Sequence, residues 1–67
     1  MDNRKERLAD KLQIELDNIR KAASYDTIVE SEEAIDYLRT GIKPDNYNDI
    51  IVSIDNDFET ICSDYGV

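Results

Sequence analysis

Apolar residues recur along most of this chain at three- and four-residue steps, the period of helices lying on a shared core. The clearest run is DNYNDIIVSIDNDFETICSDY, from Asp45 to Tyr65. At about 100° per residue, Tyr47, Ile50, Ile51, Ile54, Phe58, Ile61, Cys62 and Tyr65 fall within a stripe about 120° wide. The spacing predicts a helix over 46–65, capped by Asp45 or Asn46, with Asn48 or Asp49 in its first turn and Gly66 at its end.

A second periodic run, NRKERLADKLQIELDNIRKAA, predicts a long helix over 3–23, free of Gly and Pro and about 31 Å long at 1.5 Å per residue. Leu8, Leu12, Leu16, Ile19 and Ala23 share its apolar face. Ile14 falls on the far side among Arg7, Lys11 and Lys21. A lone exposed Ile is ordinary, and that reading is preferred to one in which Ile14 meets another helix or a second subunit. Asp17 and Lys21 are spaced for an i,i+4 pair, and Arg20 and Lys21 suit the negative end of the helix dipole.

Between these runs, SYDT (24–27) reads as a connection. Thr27 and Glu30 have capping-box spacing, so a short helix is expected over 28–39, with Ser31 as a rival start. Ile28, Ala34, Ile35 and Leu38 share its apolar face, whereas Val29 and Tyr37 point elsewhere. Gly41, with Pro44 beyond it, is a natural stop. The sum is an all-α, small three-helix bundle, a single domain over 1–67 with a long helix 1, a short helix 2 and a long helix 3. Helices 1 and 3 are expected to pack antiparallel, with helix 2 closing a core of Leu8, Leu12, Leu16, Ile19, Ile28, Ile35, Leu38, Ile51, Ile54, Phe58 and Ile61. The runner-up fold pairs residues 26–30 as a small strand.

Composition narrows the picture. A chain of 67 residues has room for one small core. Cys62 is the only cysteine, so no disulfide forms within the chain, and its place on the apolar stripe reads as a small core residue in a reducing compartment. With no apolar run long enough to span a bilayer and no signal-peptide pattern, the expectation is a cytoplasmic protein with no membrane partner.

The net charge is −8, unevenly placed: residues 1–22 hold six cations and five acids, whereas residues 23–67 hold only Arg39 and Lys43 against eleven acids. That balance argues against direct nucleic-acid binding, which needs Lys and Arg for phosphate contacts. The absence of His removes the usual general base and the Ser–His and Cys–His nucleophile pairs. Asp55–Glu59 begins like a calcium loop, but Thr60 stands where Gly is needed and no Glu stands where the bidentate ligand is required. No enzyme activity, cofactor or metal is therefore expected.

What remains is the acidic surface. Carboxylates one helical turn apart, such as Asp55 and Glu59 or Glu32 and Asp36, lie about 6 Å from each other. Phosphates along a DNA strand advance by about 3.4 Å of axis per nucleotide. Glu32, Glu33, Asp36, Tyr37, Asp49, Asp55, Asp57, Glu59 and Asp64 are the candidate partner-binding residues. Two blander readings compete: a solvated face that confers solubility, and neutralisation by helix 1 across the bundle. Against the first, such faces usually mix both signs; against the second, the cations of helix 1 already face acids of their own helix. In charge, size and lack of catalytic residues, though in no residue motif, the chain resembles the small acidic nucleic-acid mimics of phages and mobile elements, among them restriction inhibitors and anti-CRISPR proteins. The resemblance implies an inhibitor or adaptor that docks an anionic helical face on a basic, nucleic-acid-binding partner protein. The alternative is a helical homodimer or interaction module that buries Ile14, Val52 or Tyr37 between subunits.

Overall fold

The computed structural model describes residues 3–45 and 47–67. Three helices, α1 (Arg4–Ile19), α2 (Tyr25–Thr40) and α3 (Asp49–Tyr65), make up the all-α bundle, and no strand occurs among the described residues. Their lengths are 16, 16 and 17 residues, so the expected long–short–long order is replaced by three elements of nearly the same length.

The correction comes from the first connection. The regular ladder of α1 ends at Ile19, whose carbonyl accepts from both Ala22 N at 2.9 Å and Ala23 N at 2.8 Å; the chain passes into a turn over 20–22, and α1 ends four residues earlier than its periodicity suggests. Ser24 is extended (φ −67°, ψ 158°) and its Oγ accepts from Thr27 N at 3.3 Å, so Ser24, rather than Thr27, is the N-cap of α2. Tyr25 and Asp26 thereby become the first turn of a helix instead of part of a loop. Ser31, and the segment 26–30 considered as a strand, lie inside that helix.

Asn48 starts α3: its backbone is extended (φ −81°, ψ 170°) and its Oδ1 accepts from Ile51 N at 3.1 Å. Asp45 stands in a bend ahead of it, and Asn46 lies outside the described residues. Tyr47 precedes the helix and is 44% exposed, so it does not extend the apolar stripe. Both expected stops are found. Gly41 (φ 74°) and Gly66 (φ 73°) adopt the left-handed conformation, and Gly41 N donates to Tyr37 O at 2.8 Å.

The backbone of α3 is interrupted at Asp57 (φ −124°, ψ 30°). Asp55, Asn56 and Asp57 are three successive residues whose short polar side chains compete for backbone groups and weaken a helix. Ile50 in the first half and Tyr65 at the far end line one crevice, together with Leu12, Leu16 and Ile19.

Leu8, Ala9, Leu16, Ala34, Ile35, Leu38, Ile51, Ile54 and Cys62 form the buried core. Each fully buried Leu or Ile contributes about 1.5–3 kcal/mol through removal from water. Leu12, Ile28, Phe58 and Ile61 pack against this core half-buried. Ile19 does not belong to it: the last residue of α1, it is 37% exposed at the open end of the crevice. Ala9, 0% exposed, is a core residue that periodicity overlooked because its side chain is small. The most extensive helix contact is α1 with α2, not the expected α1 with α3. Ile14 projects outward, 60% exposed, while Val52 and Tyr37 are half-buried against their own chain. Among the described residues no helix is long and apolar enough to cross a membrane.

Candidate functional site

The carboxylates of α3 divide into engaged and open groups. Asp55 is a hub. Tyr37 Oη donates to its Oδ1 at 2.8 Å, Tyr47 Oη donates to its Oδ2, and Lys43 Nζ lies 3.4 Å from Oδ2. Lys43 also sits 4.9 Å over the Tyr47 ring. One carboxylate thus ties the segment after α2 to both α2 and α3. The hydrogen bonds from Tyr47 and then Tyr37, with Lys43 adding to them, hold the Asp55 carboxyl below its ordinary value of 3.8. The same bonds hold both phenols above 10.0, because ionising either would set two anions side by side.

Glu59 is also engaged. Arg4 Nη1 lies 3.0 and 2.9 Å from its two oxygens, and the guanidinium stands 5.3 Å from the centre of the Phe58 ring. This pair runs from α1 to α3, so helix 1 does neutralise part of helix 3, contrary to the expectation that its cations were already used. Two further pairs reach α2: Arg20, just past the end of α1, with Glu32 at 3.5 Å, and Asp10 of α1 with Arg39 at 3.2 Å. Arg20 also reaches Asp17 at 3.7 Å, in place of the i,i+4 partner Lys21 expected there. Exposed pairs of this kind contribute about 0–1 kcal/mol each; their consequence here is which carboxylates they occupy.

Of the nine expected partner-binding residues, Glu32, Asp55 and Glu59 are therefore in ion pairs, and Tyr37 is bonded to Asp55 instead of facing outward. Asp36, Asp49, Asp57 and Asp64 are exposed and in no ion pair among the described residues.

Glu33 belongs to a different arrangement. It lines a shallow groove of about 310 Å³ with Tyr25, Asp26, Val29 and Glu30 of α2 and Asn48 at the head of α3. Asp26, Glu30 and Glu33 follow i, i+4, i+7 spacing, which stacks them along one face of α2. No Lys or Arg lines the groove. Glu33 Oε2 is shielded from solvent and has no hydrogen-bond partner among the described residues. Tyr25 stands at the groove 79% exposed. Asn48 fixes the floor: besides capping α3, its Nδ2 donates to Glu30 O at 3.2 Å. Tyr25 and Asp26 fall in the expected connection because α2 was started three residues late, so their place beside Glu30 was not read from the sequence. With Ser24 recognised as the cap, their alignment with Glu33 follows from helical geometry.

The crevice at the other side of the bundle, about 200 Å³, is apolar apart from Glu15 and Ser31, and the Tyr65 hydroxyl donates to Glu15 beside it. Burial first, and the Glu15 carboxylate second, push Tyr65 up to about 12. Among the described residues no group of His, Cys, Asp and Glu is arranged to hold a metal ion. Compared with known proteins, the chain matches no family model, no curated protein and no solved structure.

Proposed function

We propose that this protein is a small inhibitor or adaptor that docks the anionic outer face of α2 on a basic partner protein. The observation that carries the reading is the groove. It holds three carboxylates stacked one turn apart and no lining cation, and one of its carboxylate oxygens is withdrawn from water without a partner. A Lys or Arg from another molecule pairs with the groove carboxylates, its aliphatic stem lying against Val29 and the exposed Tyr25 ring. Asp49, next to Asn48, extends the anionic rim. The middle of α3, first in line from the sequence, is less suited, since Asp55 and Glu59 already have partners within the chain.

The spacing of these carboxylates, the net charge of −8 and the small size support a finer reading, in which the partner is a nucleic-acid-binding enzyme and the protein a nucleic-acid mimic of the anti-restriction or anti-CRISPR kind. Fluorescence anisotropy with a labelled arginine-rich helical peptide tests the docking face. Binding is expected to fall steeply with ionic strength, to be competed by duplex DNA acting on the peptide, and to be lost in Glu30→Lys/Glu33→Lys. Unchanged affinity in that variant removes the groove from the proposal. The competing reading, an apolar association module, is favoured by the exposed Ile14 (60%) and Ile42 (72%).

A further inference from the structure

One row on the outer side of α1 carries the opposite charge to the acidic row of α2. Arg7, Lys11 and Ile14 follow i, i+4, i+7 spacing on the side of α1 turned away from Leu8, Leu12 and Leu16, and all three are exposed. Arg4, Arg20, Arg39 and Lys43 form the ion pairs within the chain; Arg7 and Lys11 form none among the described residues. The row is thus two open cations and one large apolar side chain, in the same register as Asp26, Glu30 and Glu33 with Val29 and Tyr25 beside them. Two helices presenting side chains at each turn, about 5.4 Å apart, match tooth for tooth. Within one chain the two rows cannot meet, because each faces away from the core that α1 and α2 share.

We infer that a second copy of this chain is an occupant of the α2 groove: the Arg7–Lys11–Ile14 row of one molecule lies on the Asp26–Glu30–Glu33 row of the next. The inference rests on the docking role proposed for that groove and names a partner for it. Lys11 and Arg7 meet the groove carboxylates, and Ile14 covers Val29 and Tyr25, so one contact neutralises the acidic row and covers the exposed Ile. The contact is heterologous, one face on a different face. The net charge of −8 on each copy opposes approach at long range, but at physiological ionic strength the screening length is about 8 Å and the groups in contact dominate. Self-association then competes with docking of any other basic protein on the same groove.

Sedimentation velocity at physiological ionic strength tests this with two charge-reversed variants, Arg7→Glu/Lys11→Glu and Glu30→Lys/Glu33→Lys. The wild-type mass is expected to rise above the 7.7 kDa of one chain as concentration increases. Each variant alone is expected to associate at least about tenfold more weakly, since like charges then face each other, and an equimolar mixture of the two is expected to recover association. A wild-type protein that stays at the mass of one chain up to about millimolar concentration, the weakest affinity worth calling association, overturns the inference. So does association that survives either reversal. The arginine-rich peptide separates this result from the docking role. Arg7→Glu/Lys11→Glu keeps peptide binding and loses self-association if both hold. A wild type that binds the peptide but never self-associates sinks only the second copy, and one that self-associates but ignores the peptide sinks only the foreign partner.

Discussion

Asn48 joins two helices through the two ends of one amide, and its removal gives the sharpest test of how α3 is held. Oδ1 caps α3 by accepting from Ile51 N at 3.1 Å, while Nδ2 donates to Glu30 O on α2 at 3.2 Å. Losing an N-cap side chain costs about 1 kcal/mol, and losing a part-buried neutral hydrogen bond about another 1 kcal/mol. Asn48→Ala is therefore expected to cost about 2 kcal/mol, a fall in Tm of roughly 8–16 °C for a domain of this size. Asn48→Ser keeps a capping oxygen but is too short to reach α2, so it isolates the second bond at about 1 kcal/mol. Urea titration followed by far-UV circular dichroism measures both, with Ile51 and Ile54 leaving the core as α3 detaches. If Asn48→Ala lies within about 0.5 kcal/mol of wild type, the typical scatter of surface substitutions, the clamp is not what seats α3. If Ser and Ala cost the same, the cap contributes nothing and the bond to Glu30 carries the whole effect.

Ile51 and Ile19, both expected in the core, should now separate. Ile51→Ala, at a site 0% exposed, is expected to cost about 2–5 kcal/mol, and Ile19→Ala, at 37% exposure, less than about 1 kcal/mol; equal costs in thermal melts would mean that the end of α1 is sealed. Stability should also respond to pH at both extremes. Asp55 is held below its ordinary 3.8, so its contribution is present above that pH and is lost as pH falls through the lowered value. Tyr65, raised from 10.0 to about 12, contributes fully below pH 10 and loses that contribution as pH rises toward 12. Urea midpoints across pH check this: Asp55→Asn should flatten the acid limb and Tyr65→Phe the alkaline one, and an acid limb as steep in Asp55→Asn as in wild type would exonerate Asp55.

The three helices were legible because Leu8, Leu12, Leu16, Ile35, Leu38, Ile51 and Ile54 repeat at helical period with glycines marking two of the ends. Boundaries were less so. Thr27 with Glu30 imitates a capping box, yet Ser24 caps one turn earlier by accepting from the Thr27 amide itself, and periodicity does not say which hydroxyl wins. Charge read along the chain also misled. Arg4 and Glu59 stand 55 positions apart, so their pairing is a property of packing and no window of sequence contains it. The Asp55 hub was hidden for the same reason: Tyr37, Lys43 and Tyr47 converge on it from a different helix and from the segment between helices. The acidic character of residues 23–67 was plain from composition, but which acids stay open was decided by these few contacts.

The interruption at Asp57 divides α3 into two pieces of roughly two turns each, and helices that short do not persist on their own. Cooperativity along the backbone stops there, so each piece depends on its own anchors. The first is seated by Ile51, Ile54 and the Asn48 clamp; the second by Cys62, the Arg4–Glu59 pair and the Tyr65–Glu15 bond. The C-terminal piece can peel away while the first remains docked, a sub-global opening that amide exchange would record as two protection classes within one helix. Since the groove borrows only Asn48 from α3, such fraying leaves the anionic face of α2 intact.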